Sequence, residues 1–175
     1  MKRYHPLLVT LHWLIAILVI AALIFGLFVL EETPNSDPAK IELLKMHMLA
    51  GITILALMLI RLVVRLSTKR PPDADTGFPL LNKLVTPMHY LLYIAVIAQA
   101  GSGIATSKAA GLPAIVFDGI GKLPKDFHHI EAHEVHETVA MLLILLIAGH
   151  IAAAIYHHFI RKDGLLSRMW FGSRS

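Results

Sequence analysis

Cysteine is absent from all 175 residues. That excludes disulfides, iron–sulfur clusters, thiolate metal sites and the Cys-x-x-Cys-His attachment of c-type haem. Charge is scarce as well: Asp, Glu, Lys and Arg together make up 16% of the chain, against 56% hydrophobic residues. Mean hydropathy is +0.66. The apolar residues fall in blocks instead of the stripes of a water-soluble helix. The interiors of those blocks hold no acidic residue, which argues against a membrane metal-ion transporter. No nucleic-acid-binding motif is present, and no nucleic-acid partner is expected. Histidine, by contrast, is plentiful: eleven residues, several inside or beside apolar blocks.

A helix needs roughly 20 apolar residues to cross the hydrocarbon core, and in lipid it satisfies its own backbone polar groups. Four blocks meet that length, so helices are expected at about 7–30, 46–66, 88–106 and 138–160. They form one transmembrane domain covering 1–175, an all-α four-helix bundle. The first block follows Lys2 and Arg3 as a signal peptide would, but it exceeds the usual apolar core of such a leader and reads as a retained helix. The second is closed by Lys69-Arg70-Pro71-Pro72. The third is expected to begin after Pro87, since proline suits a first helical turn. A polar turn or two precedes the fourth. The connection Ser107–Glu137 is too broken by Gly111, Pro113, Gly119, Gly121 and Pro124 to span. Its piece Leu112–Ile120 reads either as a surface connector or as an interfacial cap.

Basic residues orient the bundle. Lys2, Arg3, Arg61, Arg65, Lys69, Arg70, Lys83, Arg161, Lys162, Arg168 and Arg174 lie on one side, eleven in all. Lys40, Lys45, Lys108, Lys122 and Lys125 lie on the other. Basic loops stay cytoplasmic, so both termini are expected inside a bacterial inner membrane. This asymmetry accounts for the +4 net charge.

Topology gives each histidine a depth. His12 lies in the cytoplasmic part of the first helix, and His47 at the outer end of the second. His136 and His150 lie at the outer end and in the cytoplasmic half of the fourth. Fourteen residues separate His136 from His150, about 21 Å of rise and close to four turns, so both face one way. Depth pairs His12 with His150 inside and His47 with His136 outside. Two bis-histidine haems stacked across the membrane would follow. Four residues after each candidate stands Ala16, Gly51, Ala140 or Ala154, small enough at i+4 to leave room for a flat macrocycle. The plainer account is hydrogen bonding between helices. It suits one isolated histidine better than four at matched depths on three helices.

Other histidines read differently. His89, expected to begin the third helix, is the chief rival to His12 as a ligand, with a structural hydrogen bond its default role. His157 lies two turns beyond His150 on the same face, where it would meet a haem propionate, a quinone carbonyl or headgroup water. His158 reads as a surface residue. The run His128–Glu137 resembles a metal cluster, but His133-Glu134-Val135-His136 is one residue short of the zinc-peptidase pattern. A weak surface metal site on His129 and His133 is the remaining metal reading, a solvated helix start the default one. Arg61 and Arg65, one turn apart, suit haem propionates as well as the ordinary positive-inside role.

Taken in order, Leu11-His12-Trp13-Leu14, Met46-His47 with Gly51, Arg61-Leu62-Val63-Val64-Arg65, His89 with Tyr93, His136-Glu137-Thr138, His150–Ala154, His157-His158 and Lys162-Asp163 resemble the bacterial cytochrome b-561 family over nearly the full length. The resemblance implies a four-helix di-haem cytochrome b with iron ligands His12, His47, His136 and His150. It also implies exchange with the quinone pool. Members are linked to oxidising superoxide at the periplasmic face and reducing ubiquinone; related subunits serve hydrogenases or other dehydrogenases. On the first reading the chain is a superoxide:quinone oxidoreductase, with Lys108, Lys122 and Lys125 guiding the anion. A quinone would then sit near His157, with Thr10 and Lys162. Those outer lysines are accompanied by nine acidic residues, among them Glu31, Glu131, Glu134 and Glu137, so no net positive funnel is evident. On the second reading the chain is a cytochrome b subunit that docks to a periplasmic dehydrogenase or hydrogenase.

Overall fold

The computed structural model describes residues 3–68 and 79–170. Lys2, Lys69, Arg70, Pro71, Pro72 and Arg174, used above for orientation and for closing the second helix, lie outside the described residues. The order is helix α1 (Pro6–Phe25) running into a π-turn (Gly26–Leu30), α2 (Ala39–Ser67), α3 (Pro79–Ala109) and short α4 (Leu112–Phe117). Then come α5 (Glu131–Ile155), a second π-turn (Tyr156–Arg161) and a 3-10 turn (Leu166–Met169). Among the described residues, four helical stretches are long and apolar enough to span a membrane: Pro6–Leu30, Ala39–Ser67, Pro87–Ala109 and Glu131–Arg161. The described residues are all-helical, with no strand among them.

The surface carries the signature of lipid contact. Ile17, Val63, Ile94 and Leu145, one from each spanning helix, are 63–69% exposed. Such apolar exposure on every helix would be unfavourable in water by roughly 25 cal/mol per Å², and the same side chains are at ease against acyl chains. Between the helices Leu11, Ile15, Ile54, Met58, Tyr93, Val96, Leu143 and Leu146 form the buried core.

Two boundaries depart from expectation. α2 starts at Ala39 instead of near Met46, its first amide held by the Asp37 carboxylate (Ala39 N to Oδ1, 2.8 Å). α3 starts at Pro79, so Pro87 sits inside the helix and His89 no longer begins it. The apolar span of α3 still begins at Pro87. Proline is tolerated there because neighbouring helices and local adjustments can satisfy the backbone groups that it frees.

The backbones of α3 and α5 run closest together, then those of α1 and α2. These two helical pairs meet along α2 and α3, while α1 and α5 approach each other less closely. At the end away from the termini, Gly111 in the left-handed region (φ 65°) turns the chain into α4, a conformation that favours glycine. Leu112, Ile115 and Val116 then bury against Leu44. The long connection is therefore a cap, not a plain surface connector. Lys40, placed by sequence among the outer lysines, is buried (5% exposed). Its ammonium donates to the Leu30 and Thr33 carbonyls, closing the C-terminal end of the first span.

At the opposite end both described termini lie together. Trp13 Nε1 donates to Met169 O (2.8 Å), Arg3 donates to Trp170 O (3.2 Å), and Tyr4 N donates to Arg168 O (3.2 Å). Trp13 also meets Trp170 edge-on at 5.8 Å. Replacing Trp13 with phenylalanine keeps a ring but removes the donor. It is expected to loosen the tail by about 1 kcal/mol, raising the rate of tryptic cleavage at Arg168 about fivefold.

Candidate functional site

The histidines meet in the two pairs that depth suggested. At the capped end, the ring centres of His47 and His136 stand 6.1 Å apart and nearly perpendicular (85°). At the terminal end, His12 and His150 stand 6.2 Å apart at 74°. Each pair joins the α1/α2 hairpin to α5, across the space between the two helical pairs.

That spacing can be tested against the cofactor which paired membrane imidazoles suggest. An iron–nitrogen bond of about 2.0 Å and about 1.1 Å from nitrogen to ring centre put two axial imidazoles ~6.2 Å apart. Both pairs match. Edge-on ring contact reaches the same range, as His128 and His133 show at 6.2 Å, so the spacing admits the cofactor without requiring it.

The capped-end pair also borders a cavity of about 360 Å³. It is walled by Val19, Ala22 and Leu23 of α1, Gly51 of α2, Gln99 and Gly103 of α3, and Phe117 of α4. A methyl group at Gly51 would meet nothing within 4 Å, so the small residue one turn after His47 opens onto free space. Lys108 also lines this cavity; Lys122 and Lys125 do not.

His136 is the best-positioned of the four. Its Nδ1–H donates to Gln99 O (3.0 Å), with Ser102 Oγ at 3.1 Å. The Gln99 amide donates to Nε2 (3.0 Å). Carbonyl pairing puts the proton on Nδ1 and the lone pair on Nε2, the tautomer that a metal-bound histidine takes, and iron there would require the Gln99 amide contact to open. Two buried polar atoms beside the cavity, His47 Nδ1 and Gln99 Oε1, have no hydrogen-bond partner. Buried polar groups are nearly always satisfied, so orphans clustered at one cavity mark a place built for a ligand. The residues fit a haem at this pair.

Gln99, Ser102 and Gly103 were not among the sequence-predicted site residues. A methyl group at Gly103 would lie 3.0 Å from His136 Cε1 and 3.2 Å from Nδ1, so the imidazole packs directly on bare backbone. The signal available was the short polar interruption Gln99, Gly101-Ser102-Gly103 inside an apolar span. Phe25 stacks on His47 (6.3 Å, 14°) at the start of the first π-turn.

At the terminal end His150 has a second neighbour. His89 stands 5.7 Å from it at 82°, shorter than an iron-bridged pair requires. Arg61 Nη2 lies 3.4 Å from His12 Nδ1, a long contact in which the ring nitrogen accepts. Iron on Nε2 would require Nδ1 to carry the proton and this contact to open. Arg61 lies 5.0 Å over the Tyr93 ring, and Arg65 is 5.7 Å from both Tyr90 and Tyr93. Both guanidinium groups are thus held on aromatic faces, with their Nε atoms buried and unpaired. Such desolvated arginines suit carboxylates, and propionates are the candidates.

His157 is buried (7% exposed) on the second π-turn, while His158 is exposed as expected. Its partner is Asp163, whose Oδ2 accepts from Nδ1 at 2.5 Å while Oδ1 accepts from Leu165 N at 3.0 Å. Partial burial pushes the Asp163 carboxyl up, but the His157 and Leu165 donors outweigh it and hold the group below the usual carboxylate range. Thr10 and Lys162 are exposed, and Lys162 occupies the left-handed position that ends the helix (φ 51°). The chain brings Asp163 to His157 instead.

The pairing of His129 with His133 does not form. α5 begins at Glu131, so His129 precedes the helix, its side chain 91% exposed beside Asp126 (3.8 Å).

Comparison with known proteins identifies the family. A family model described as prokaryotic cytochrome b561 matches residues 3–172. Cytochrome b561 homolog 1 of Escherichia coli K12 is 30% identical over 173 residues, covering 97% of both chains. A probable superoxide oxidase, CybB, of Yersinia pestis is 29% identical over 171 residues, covering 96% of each. Cytochrome b562 of Cereibacter sphaeroides is 28% identical over 171 residues, covering 95% of this chain and 94% of its own. A family match over nearly the whole chain, with histidines paired across a helical membrane bundle, makes this a multi-pass electron-transfer protein with b-type haem, and the chain belongs to the prokaryotic cytochrome b561 family.

Proposed function

We propose that this protein is a di-haem cytochrome of the bacterial inner membrane that oxidises superoxide at the periplasmic face and reduces ubiquinone. His47 and His136 hold the periplasmic haem; His12 and His150 hold the cytoplasmic one, with both termini in the cytoplasm. Two superoxide anions give two molecules of dioxygen, and one quinone takes up the two electrons with two protons. Bound haem supplies the one-electron chemistry that links a one-electron donor to a two-electron acceptor.

The observation that carries this reading is the shared ring spacing of 6.1 and 6.2 Å at two levels of one helix. The chain's own residues supply orientation and electrostatics. Gln99 O and Ser102 fix the His136 tautomer, Arg61 and Arg65 offer charge to propionates, and Lys108 stands at the periplasmic cavity to attract an anion. His157, oriented by Asp163, faces the quinone in the cytoplasmic leaflet. With Nδ1 held by the carboxylate, Nε2 is the remaining ring atom, and it donates to a quinone carbonyl only when it too carries a proton, the one it could pass to the reduced quinone.

The test is a reduced-minus-oxidised spectrum with a haem-to-protein ratio on protein in mild detergent, followed by superoxide-dependent reduction of a short-chain ubiquinone. Two b-type haems per chain and quinol formation that stops on adding superoxide dismutase are expected. Two haems without superoxide-driven quinone reduction, and a stably co-purifying periplasmic dehydrogenase or hydrogenase, would transfer the protein to the subunit reading. No haem after expression with ample haem supply would overturn both.

A further inference from the structure

The end of the first span and the start of α5 converge on a group of ligands that the haem reading leaves unused. Glu31 follows the first π-turn, while His133 and Glu137 stand one turn apart on α5. One ligand atom from each of the three lies within 4.8 Å of the others. His133 Nδ1 is 3.8 Å from Glu137 Oε1, too far for a hydrogen bond. The atom is buried and has no hydrogen-bond partner, although the ring as a whole keeps some exposure. An unpaired imidazole nitrogen beside one carboxylate, with a second carboxylate in the same group, is an arrangement that a cation would satisfy.

We propose that Glu31, His133 and Glu137 bind a divalent transition metal of the zinc class at the capped end of the bundle. The donor set selects the metal. Calcium and magnesium take oxygen ligands, whereas an imidazole with carboxylates suits zinc and its neighbours. Tetrahedral bonds of 2.0–2.2 Å place ligand atoms ~3.4 Å apart, so the three groups close by about an ångström on binding. Glu31 and Glu137 are exposed and free to make that movement. His128 stands with its ring centre 6.2 Å from that of His133, and the adjoining hollow of about 170 Å³ leaves the fourth position to it or to water. Lys40 and Lys125 line the same hollow with Glu31 and Asp126, and Glu137 brings the group to about one net negative charge before metal arrives. Bound metal would tie the first span to α5 within one residue of His136.

The site shares no ligand with the haems, so its test is independent of them. Full-length protein in detergent, stripped with chelator, is titrated with zinc against a chromophoric indicator. One high-affinity equivalent is expected in the wild type. His133→Ala, Glu137→Gln and Glu31→Gln should each weaken it at least about tenfold, while the exposed His129→Ala leaves it unchanged. Circular dichroism checks the helical content of each variant, and Glu31→Gln, on a separate segment, stands if an α5 variant misfolds. Absence of a saturable equivalent, binding indifferent to all three substitutions, or equal weakening by His129→Ala would overturn the proposal.

Discussion

Purified His136→Ala protein is expected to hold half the haem of the wild type, with the remaining absorption that of the terminal-end haem. His136 is the ligand candidate whose contacts place the proton on Nδ1, as ligation through Nε2 requires, and removing it leaves no imidazole to face His47. His150→Ala should remove the complementary half. The two difference spectra, added together, should reproduce that of the wild type. His89→Ala provides the internal control: its ring lies 5.7 Å from His150, shorter than a bridging iron requires, and both haems should survive. Retention of both haems in His136→Ala would remove it from the ligand set. Loss in His89→Ala with retention in His12→Ala would exchange those two residues.

The second large effect is expected from a residue that contacts no iron. In Gly103→Val the added Cβ would stand 3.0 Å from His136 Cε1, with two further methyl groups beyond it. The ring cannot yield without opening its bonds to Gln99 O and Ser102, and each bond contributes roughly 1 kcal/mol. Haem affinity at the capped-end pair should fall at least about tenfold, seen as half-loading after purification. Gly101→Val is the matched control. A methyl group there meets nothing within 4 Å and the position is exposed, so haem content should be unchanged. Equal losses in the two variants would point to helix flexibility instead of the contact with His136.

How far the sequence speaks can be judged from these same residues. The four spans were legible because lipid demands long apolar runs, and no periodic pattern had to be interpreted. The histidine pairs were legible because depth in a spanning helix follows directly from residue number. Gly103 and Ser102 were not, since a small or polar residue in an apolar helix means little until the helix beside it is placed. The side on which Lys40 lies was legible, but its burial was not, because backbone carbonyls at a helix end can stand in for water around an ammonium. Pro87 reads as a helix start by a rule that holds in water and relaxes in a membrane. His129 and His133 have helical spacing, but the helix begins between them. Glu31, the partner that His133 does meet, lies about a hundred residues away and could not be found from spacing at all.

The division into two helical pairs has a bearing on how the protein is made. With α2 and α3 as a spine, α1 and α5 resemble the covers of a book, and the histidine pairs act as clasps between the halves. Each hairpin can insert into the bilayer and satisfy its backbone unaided. The halves already meet along α2 and α3, so on the proposed reading cofactor bound between the pairs would add stability to a closed book instead of closing it. Haem-poor protein should then be the form more readily opened and digested.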